Sequence, residues 1–398
     1  MKIRLIQNML AVFLSLHLIG ITQEQPAQPV ALEKKRMRIL FVVGTFPWYT
    51  KQIIINQITG LIDRGHDVYV FAKKQQPNYP ISDSLKKYLA HRVYYEELPP
   101  DLPSYDIIIF QYGDLGEEFF NLKKEFNLKA KLVTFFRGAD ATSPREGNEY
   151  TILFKEGDIF LTACGYYKYR LALLGCNPKK IFVQHSGIES SQFKFKQREF
   201  SRNGPIEIIS VGRLTEKKGI PYTLEAIAEL MKKYQNINYT IIGDGPHRKR
   251  IEKQIEKLNI SNKVTLLGWK SQNEIVGYLN KSHIFISPSI TTKKGSTDGA
   301  INALKEAMLT GIPVISSFHG GIIEIVDHHK SGLLVPERDV TALVEAVTYL
   351  LNNPDKCQEM GVEARKKVER VFDMEKLNNK LEELLLNLLK GKRNEKNY

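Results

Sequence analysis

Cysteine is scarce: Cys164, Cys176 and Cys357 are the only three in 398 residues. They form no CxxC pair and have no histidine at ligand spacing, which excludes a disulfide framework and argues against structural zinc. Free thiols in a reduced compartment are the expectation. No Asp-x-Asp metal motif occurs anywhere in the chain. No solenoid-period repeat or low-complexity run is present, and a composition of 42% apolar and 25% charged residues is that of an ordinary globular protein, with disorder expected only at the ends. Positive charge is present but not concentrated. The net +13 divides into +3 over residues 1–36, +4 over 37–200 and +6 over 201–398, and the densest cluster, His247-Arg248-Lys249-Arg250, opens a helix of alternating charge. That reads as a solvated face, and no nucleic-acid partner is expected. A long membrane-spanning run is also missing. The basic start and apolar stretch of MKIRLIQNMLAVFLSLHLIGITQEQ have signal-peptide length, and three readings stay open: a signal, a weak anchor, or an extension upstream of a true start at Met37.

What the chain does contain, from Met37 onward, is an alternation of short β-rich apolar runs with helical patterns. The first half gives RILFVVG (38–44), DVYVFA (67–72), DIIIFQYG (106–113), KLVTFFRG (131–138), IFLTACG (159–165) and IFVQHSG (181–187). The second gives IEIISVG (206–212), YTIIGDG (239–245), VTLLGW (264–269), HIFISPS (283–289), PVISS (313–317) and SGLLVP (331–336). Near-continuous apolar strands with helices between them mean parallel sheets buried on both faces. The expected class is α/β with two Rossmann-like domains, 37–191 and 206–372, joined by the charged, aperiodic linker 192–205, after the separate segment 1–36. Residues 373–398 supply a helix with a broad apolar face, expected to pack across both domains, and a polar tail. Ligands of such sheets bind beyond the carboxyl ends of the strands. A cleft between two of them is the natural substrate site.

Three stretches of the second half carry chemistry. In SVGRLTEKKGIPYTL a strand ends at Gly212 and a helix starts near Ile220, and Arg213 and Lys218 flank the loop between them. A planar fork of donors and a mobile point charge suit a pyrophosphate, although a solvated basic loop has the same spacing. In YTIIGDGPHRKR, Gly243 and Gly245 let backbone approach a ligand at a helix start; the turn is not the G-x-G-x-x-G fingerprint and also reads as a plain tight turn. In STDGAINALKEAMLTGIPVI, Asp298 and Glu306 stand eight positions apart. On one helix they would be about 12 Å apart along the axis. They meet one ligand only if Asp298 lies on the Asp298-Gly299-Ala300 loop and Glu306 about a turn along the helix that runs from about Ile301 to Leu309. Asp298 as a simple helix N-cap is the competing reading.

Together these motifs resemble the donor half of the family 4 retaining glycosyltransferases, which have the two-domain GT-B fold. HSGIE (185–189), GGIIEIV (320–326) and SGLLVP (331–336) extend the resemblance over most of 37–375, and FPWYTKQIIINQITGLIDRGHDVYVFA with FFRGAD is similar to the colanic-acid and exopolysaccharide branch. The resemblance implies that Arg213 and Lys218, with Gly212 beside them, bind the donor diphosphate. It implies that Glu306 binds the ribose, that Asp298 faces the transferred sugar, and that Gly299 and Ala300 offer amides nearby. In the first domain, Arg137 stands where many members have the His of a His-Gly-x-Asp pattern, with Asp140 as its Asp and His185 as a further candidate; Arg137 is expected near the reacting phosphate. Two departures are Asp298 in place of the usual Glu and Ile301 in place of the usual Pro. Shortening by one methylene withdraws a carboxylate by more than ~1 Å, enough to alter a tightly placed group.

The implied reaction moves a hexosyl group, with retention, from a nucleotide diphosphate sugar to a hydroxyl of a growing polysaccharide or lipid-linked glycan. No metal and no cofactor beyond that co-substrate is implied, and the leaving phosphate itself takes the acceptor proton. The place would be the cytoplasm, with peripheral membrane contact open through GYYKYRLALLG (165–175), where tyrosines interleave with Lys168 and Arg170. A helix packed on its own sheet accounts for that stretch equally well. Three rivals stand beside transfer: a GT-B sugar-nucleotide epimerase, a weakened or inactive relative that only binds sugar nucleotide, and a secreted binding module.

Overall fold

The computed structural model describes residues 35–47, 52–76, 83–119, 121–142, 150–199 and 204–391. All but the last two residues of the leader-like segment, part of the expected linker and the end of the tail lie outside them. Thirteen described strands form two wholly parallel sheets. The first holds β1 (Arg38–Phe46), β2 (Asp67–Gln75), β3 (Val93–Tyr95), β4 (Ile107–Phe110), β5 (Lys131–Phe136), β6 (Ile159–Thr162) and β7 (Ile181–Val183) in the order β3-β2-β1-β4-β5-β6-β7. The second holds β8 (Ile206–Val211), β9 (Ile237–Ile242), β10 (Val264–Gly268), β11 (Ile284–Ser287), β12 (Val314–Ser317) and β13 (Leu333–Val335) in the order β10-β9-β8-β11-β12-β13. Each of the twelve apolar runs picked out in the sequence forms one of these strands. β3 does not belong to that set: its three residues are half-buried at a sheet edge, so no apolar run marks it.

Alternate strand residues feed cores on opposite faces, as the two-residue period requires. Ile39, Phe41 and Val43 pack with the helix Gln52–Asp63, whereas Leu40 and Val42 pack with Leu102, Leu115 and Leu132. In the second sheet Ile208, Ile241 and Ile286 face one core, and Ile209, Ile242 and Phe285 the other. Both sheets reverse strand order once, between β1 and β4 and between β8 and β11. Those reversals leave a crevice at the carboxyl ends of the strands, where ligands of such sheets bind.

The helix Pro354–Val371 belongs to the second sheet, to which it contributes Ala364 and Val368. The following helix, Met374–Leu389, returns to the first and buries Leu381, Leu384 and Leu385 in its core. There Glu382 Oε1 lies 2.7 Å from His66 Nε2, both groups buried. The return crossing runs beside the outward one: the Ile188 amide donates to the Phe372 carbonyl at 2.8 Å and the Met374 amide to the Ile188 carbonyl at 3.1 Å.

Candidate active site

In the second sheet, the loops that follow β8, β9 and β11 interlock at the strand-order reversal. The Leu214 amide donates to the Asp244 carbonyl at 2.9 Å and the His247 amide to the Leu214 carbonyl at 3.0 Å. Gly243 is obligatory there, because its φ is +134° and a Cβ would stand 2.0 Å from the Gly212 carbonyl oxygen. The close approach foreseen for the Gly-Asp-Gly turn is therefore made first to its neighbouring loop, with Gly245 likewise against Leu214. Arg213 projects from this assembly, exposed, with no side-chain hydrogen bond or ion pair among the described residues.

Asp298 does not cap the helix, which spans Asn302–Leu309 with Ile301 at its N-cap position. Its carboxylate is buried and engaged on both oxygens: Lys217 Nζ lies 2.9 Å from Oδ1, and Lys218 Nζ lies 2.9 Å and Ser289 Oγ 2.8 Å from Oδ2. Burial alone would push this carboxyl up, but the two ammonium groups outweigh it and hold the group well below the usual carboxylate range. The backbone is fixed as well. The Asp298 amide donates to His319 Nε2 at 2.9 Å, and the Nδ1 of that ring lies 2.6 Å from Glu337 Oε1. Gly299 touches the other domain so closely that a Cβ would stand 2.3 Å from the Tyr167 ring, while Ala300 packs against the same aromatic cluster. Glu306 is half-buried on the helix beyond, and burial raises its carboxyl above the ordinary value, with Gln272 opposing the rise.

The first sheet brings Arg137 to its own reversal point. The guanidinium follows β5 and donates to Gln111 Oε1 from Nε at 3.0 Å and from Nη2 at 2.8 Å, and to Gln57 Oε1 from Nη2 at 2.8 Å. These partners are neutral amides, and burial lowers the guanidinium to about 10, so it stays charged at neutral pH. Asp140 is the anchor of the turn. Its buried carboxylate accepts the amides of Gly113 at 3.1 Å, Arg137 at 3.2 Å and Gly138 at 2.7 Å. Two residues on, Thr142 Oγ1 accepts the Thr297 amide at 3.4 Å, which sets this turn against the Asp298 loop.

Residues 191–367 match the family described as glycosyl transferases group 1. AmsK of Erwinia amylovora, an amylovoran biosynthesis glycosyltransferase, is 30% identical over 404 residues, covering 88% of this chain and 99% of that one. WcaL of Salmonella typhimurium, assigned to colanic acid biosynthesis, is 30% identical with the same coverage. The chain is a group 1 glycosyl transferase. Its architecture is GT-B: HepE of Anabaena, solved in complex with UDP-glucose, matches with a TM-score of 0.71 over 88% of this chain and 100% of that one at 17% identity, and sucrose-phosphate synthase of Thermosynechococcus elongatus with 0.73 over 89% and 100% at 20%. The activity of such a protein is glycosyl transfer from a nucleotide sugar, and its branch is that of exopolysaccharide biosynthesis.

Several residues of this glycosyl transferase's interdomain seam were not legible in the sequence. Tyr167 Oη donates to the Thr297 carbonyl at 3.1 Å. Glu324 of the GGIIEIV stretch reaches across to the start of the helix Gly165–Leu173, where its Oε1 accepts the amides of Gly165 at 2.8 Å and Tyr166 at 3.3 Å. Its other oxygen lies 3.8 Å from His185 Nε2, and His185 Nδ1 is 3.1 Å from the Ala163 carbonyl, so His185 is a residue of the seam. Lys305 is wholly buried there, with Nζ donating to the Ser186 carbonyl at 2.6 Å and standing 5.1 Å over the Phe372 ring. Among the described residues, no three His, Cys, Asp or Glu side chains are grouped so as to hold a metal ion, and no helix is long and apolar enough to cross a membrane.

Proposed function

We propose that the protein transfers a hexosyl group, with retention, from a nucleotide diphosphate sugar to a hydroxyl of a growing polysaccharide or lipid-linked glycan, using no metal and no further cofactor. The observation that carries this reading is the unpartnered Arg213 guanidinium standing with Lys218 at the β8/β11 reversal. The difficulty of the reaction is negative charge gathering on the departing diphosphate, and preorganised cations in a partly dry site are the means of stabilising it. Arg213 and Lys218 take the diphosphate, Glu306 the ribose hydroxyls, and the Gly299 and Ala300 backbone lies along the sugar. Arg137, braced by Gln57 and Gln111, faces the reacting phosphate from the first domain. The leaving phosphate oxygen accepts the proton of the acceptor hydroxyl, so no separate base is required. UDP and UDP-glucose in HepE make a uridine nucleotide the first donor to try.

The acceptor meets the protein on the cytoplasmic side of a membrane. Tyr169, Leu173 and Leu174, at the outer end of the helix that starts under Glu324, are exposed, and residues 159–188 contain Lys168, Arg170, Lys179 and Lys180 but no Asp or Glu. An apolar and basic surface of this kind favours an anionic headgroup layer.

The test is the melting temperature of the protein against UDP-, GDP- and ADP-sugars, with Arg213→Ala as control. A ligand at 100 times its dissociation constant adds about 2.7 kcal/mol. A selective shift that the control loses, followed by nucleotide release only when an acceptor glycan is present, is the expected result. Release without an acceptor, accompanied by a rearranged sugar, would instead indicate an epimerase.

A further inference from the structure

We propose that Lys217 is a third cation of the donor site and that Asp298 is a positioning residue, holding Lys217 and Lys218 side by side for the diphosphate in place of touching the transferred sugar. The inference rests on the donor-site reading above.

Consecutive residues of a 3₁₀ turn point about 120° apart. Lys217 and Lys218 close the turn Glu216–Lys218, yet both ammonium groups converge on Asp298, one on each carboxylate oxygen and each at 2.9 Å. The backbone of Lys217 is pinned, its carbonyl accepting the Ile290 amide at 2.9 Å. The carboxylate is fixed by Ser289 and, through its own amide, by His319 and Glu337. A group held in this way has an ammonium on each of its oxygens before any sugar arrives. The shorter Asp, where the family resemblance leads to Glu, draws the carboxylate back into the two lysines.

Charge points the same way. Arg213, Lys217 and Lys218 bring three positive charges and Asp298 removes one. Glu216, the other acid of the loop, turns away to accept the Lys293 amide at 3.3 Å, on a segment where Lys293 and Lys294 add positive charge. Arg213, Lys217, Lys218 and Asp298 together leave a surplus of positive charge, the sign that a nucleotide diphosphate sugar requires. When the sugar–oxygen bond breaks, the electron pair stays on the diphosphate, and that added charge appears beside ammonium groups already in place. Asp298 thus keeps two like charges adjacent before the ligand arrives.

The experiment measures affinity of the full-length protein for UDP, GDP and ADP, then repeats the best of these with Lys217→Met, Asp298→Asn, the double variant and Asp298→Glu, alongside turnover. Lys217→Met should weaken diphosphate binding at least tenfold and flatten its salt dependence, with a lowered unliganded melting temperature but a folded protein, because Asp298 loses one ammonium and keeps Lys218 and Ser289. Asp298→Asn should also lose diphosphate affinity, with the double variant no worse than the poorer single one, since both act through one cation pair. Asp298→Glu should give no gain in turnover. Wild-type affinity in Lys217→Met, an Asp298→Asn variant that binds diphosphate normally and loses only kcat, or faster turnover in Asp298→Glu would each overturn the proposal. If the unmodified protein binds none of the three nucleotides, the donor-site reading itself fails and takes the proposal with it. If it binds one and Arg213→Ala abolishes that binding while Lys217→Met does not, only the present inference falls.

Discussion

Replacing Lys305 by Met should make the protein more stable, and by an amount that depends on pH in a defined way. The side chain is fully buried, with one carbonyl partner and one aromatic face to offset the loss of water. Burial, opposed by Glu306, brings its pKa from 10.5 down to about 7. Between those two values the unfolded chain carries a proton on this lysine and the folded chain does not. Stability must therefore rise with pH across that window, at about 1.4 kcal/mol per pH unit, and the penalty is fully present below the folded value. The variant has no such proton, so its advantage should be about 4 kcal/mol at pH 7.5 and about 1 kcal/mol at pH 9.5, less a pH-independent loss of about 1 kcal/mol for the unpaired Ser186 carbonyl. Urea unfolding of both proteins from pH 7.5 to 9.5 measures the difference. His185, which burial holds below its ordinary value, does not titrate there. A difference that stays constant with pH, or widens as pH rises, would show that Lys305 keeps its proton in the folded protein, and the assignment of a dry seam around it would be wrong.

Asp140→Ala strands three amides, that of Gly113 buried and those of Arg137 and Gly138 partly so, and should cost about 3 kcal/mol, read as a lowered melting temperature together with loss of activity as the Arg137 turn loosens. Gly243→Ala forces a side chain against the Gly212 carbonyl at positive φ and should cost about 2 kcal/mol or more while reducing nucleotide affinity; an unchanged melting temperature would contradict the interlocked loops. Tyr169→Glu with Leu173→Glu should reduce cosedimentation with vesicles containing phosphatidylserine severalfold against the unmodified chain, with turnover on a water-soluble acceptor unaffected. Equal sedimentation of both proteins would remove that helix from the proposed membrane contact.

Strand positions were readable because near-continuous apolar runs have few other uses, and the order of motifs places Gly212, Arg213 and Lys218 on one loop. β3 escaped because an edge strand of three half-buried residues leaves no period to detect. At the site, the sequence reading singled out Lys218 and passed over Lys217, since neighbours in a turn ordinarily diverge; that both bend to one acid is decided by Ser289, His319 and Glu337, brought in from other loops. Lys305 was hidden for a related reason. Within ALKEAM it sits beside Glu306 like any helical surface pair, and only the return of the chain through Phe372 covers it. Glu324 is likewise an unremarked acid until the other domain supplies a helix start to receive it.

The return of the last helix to the first sheet has a consequence for how the molecule is made. Leu381, Leu384 and Leu385 complete the core that β1, β2 and the helix Gln52–Asp63 begin. On a ribosome, the first sheet emerges early yet waits for residues more than three hundred positions downstream before that face is covered, while the second sheet can close around its own helices sooner. The order of completion is the reverse of the order of synthesis, against the usual rule that the leading domain finishes first. The nascent N-terminal half carries an open apolar face throughout, and a chain that stops short of Met374 leaves it open for good.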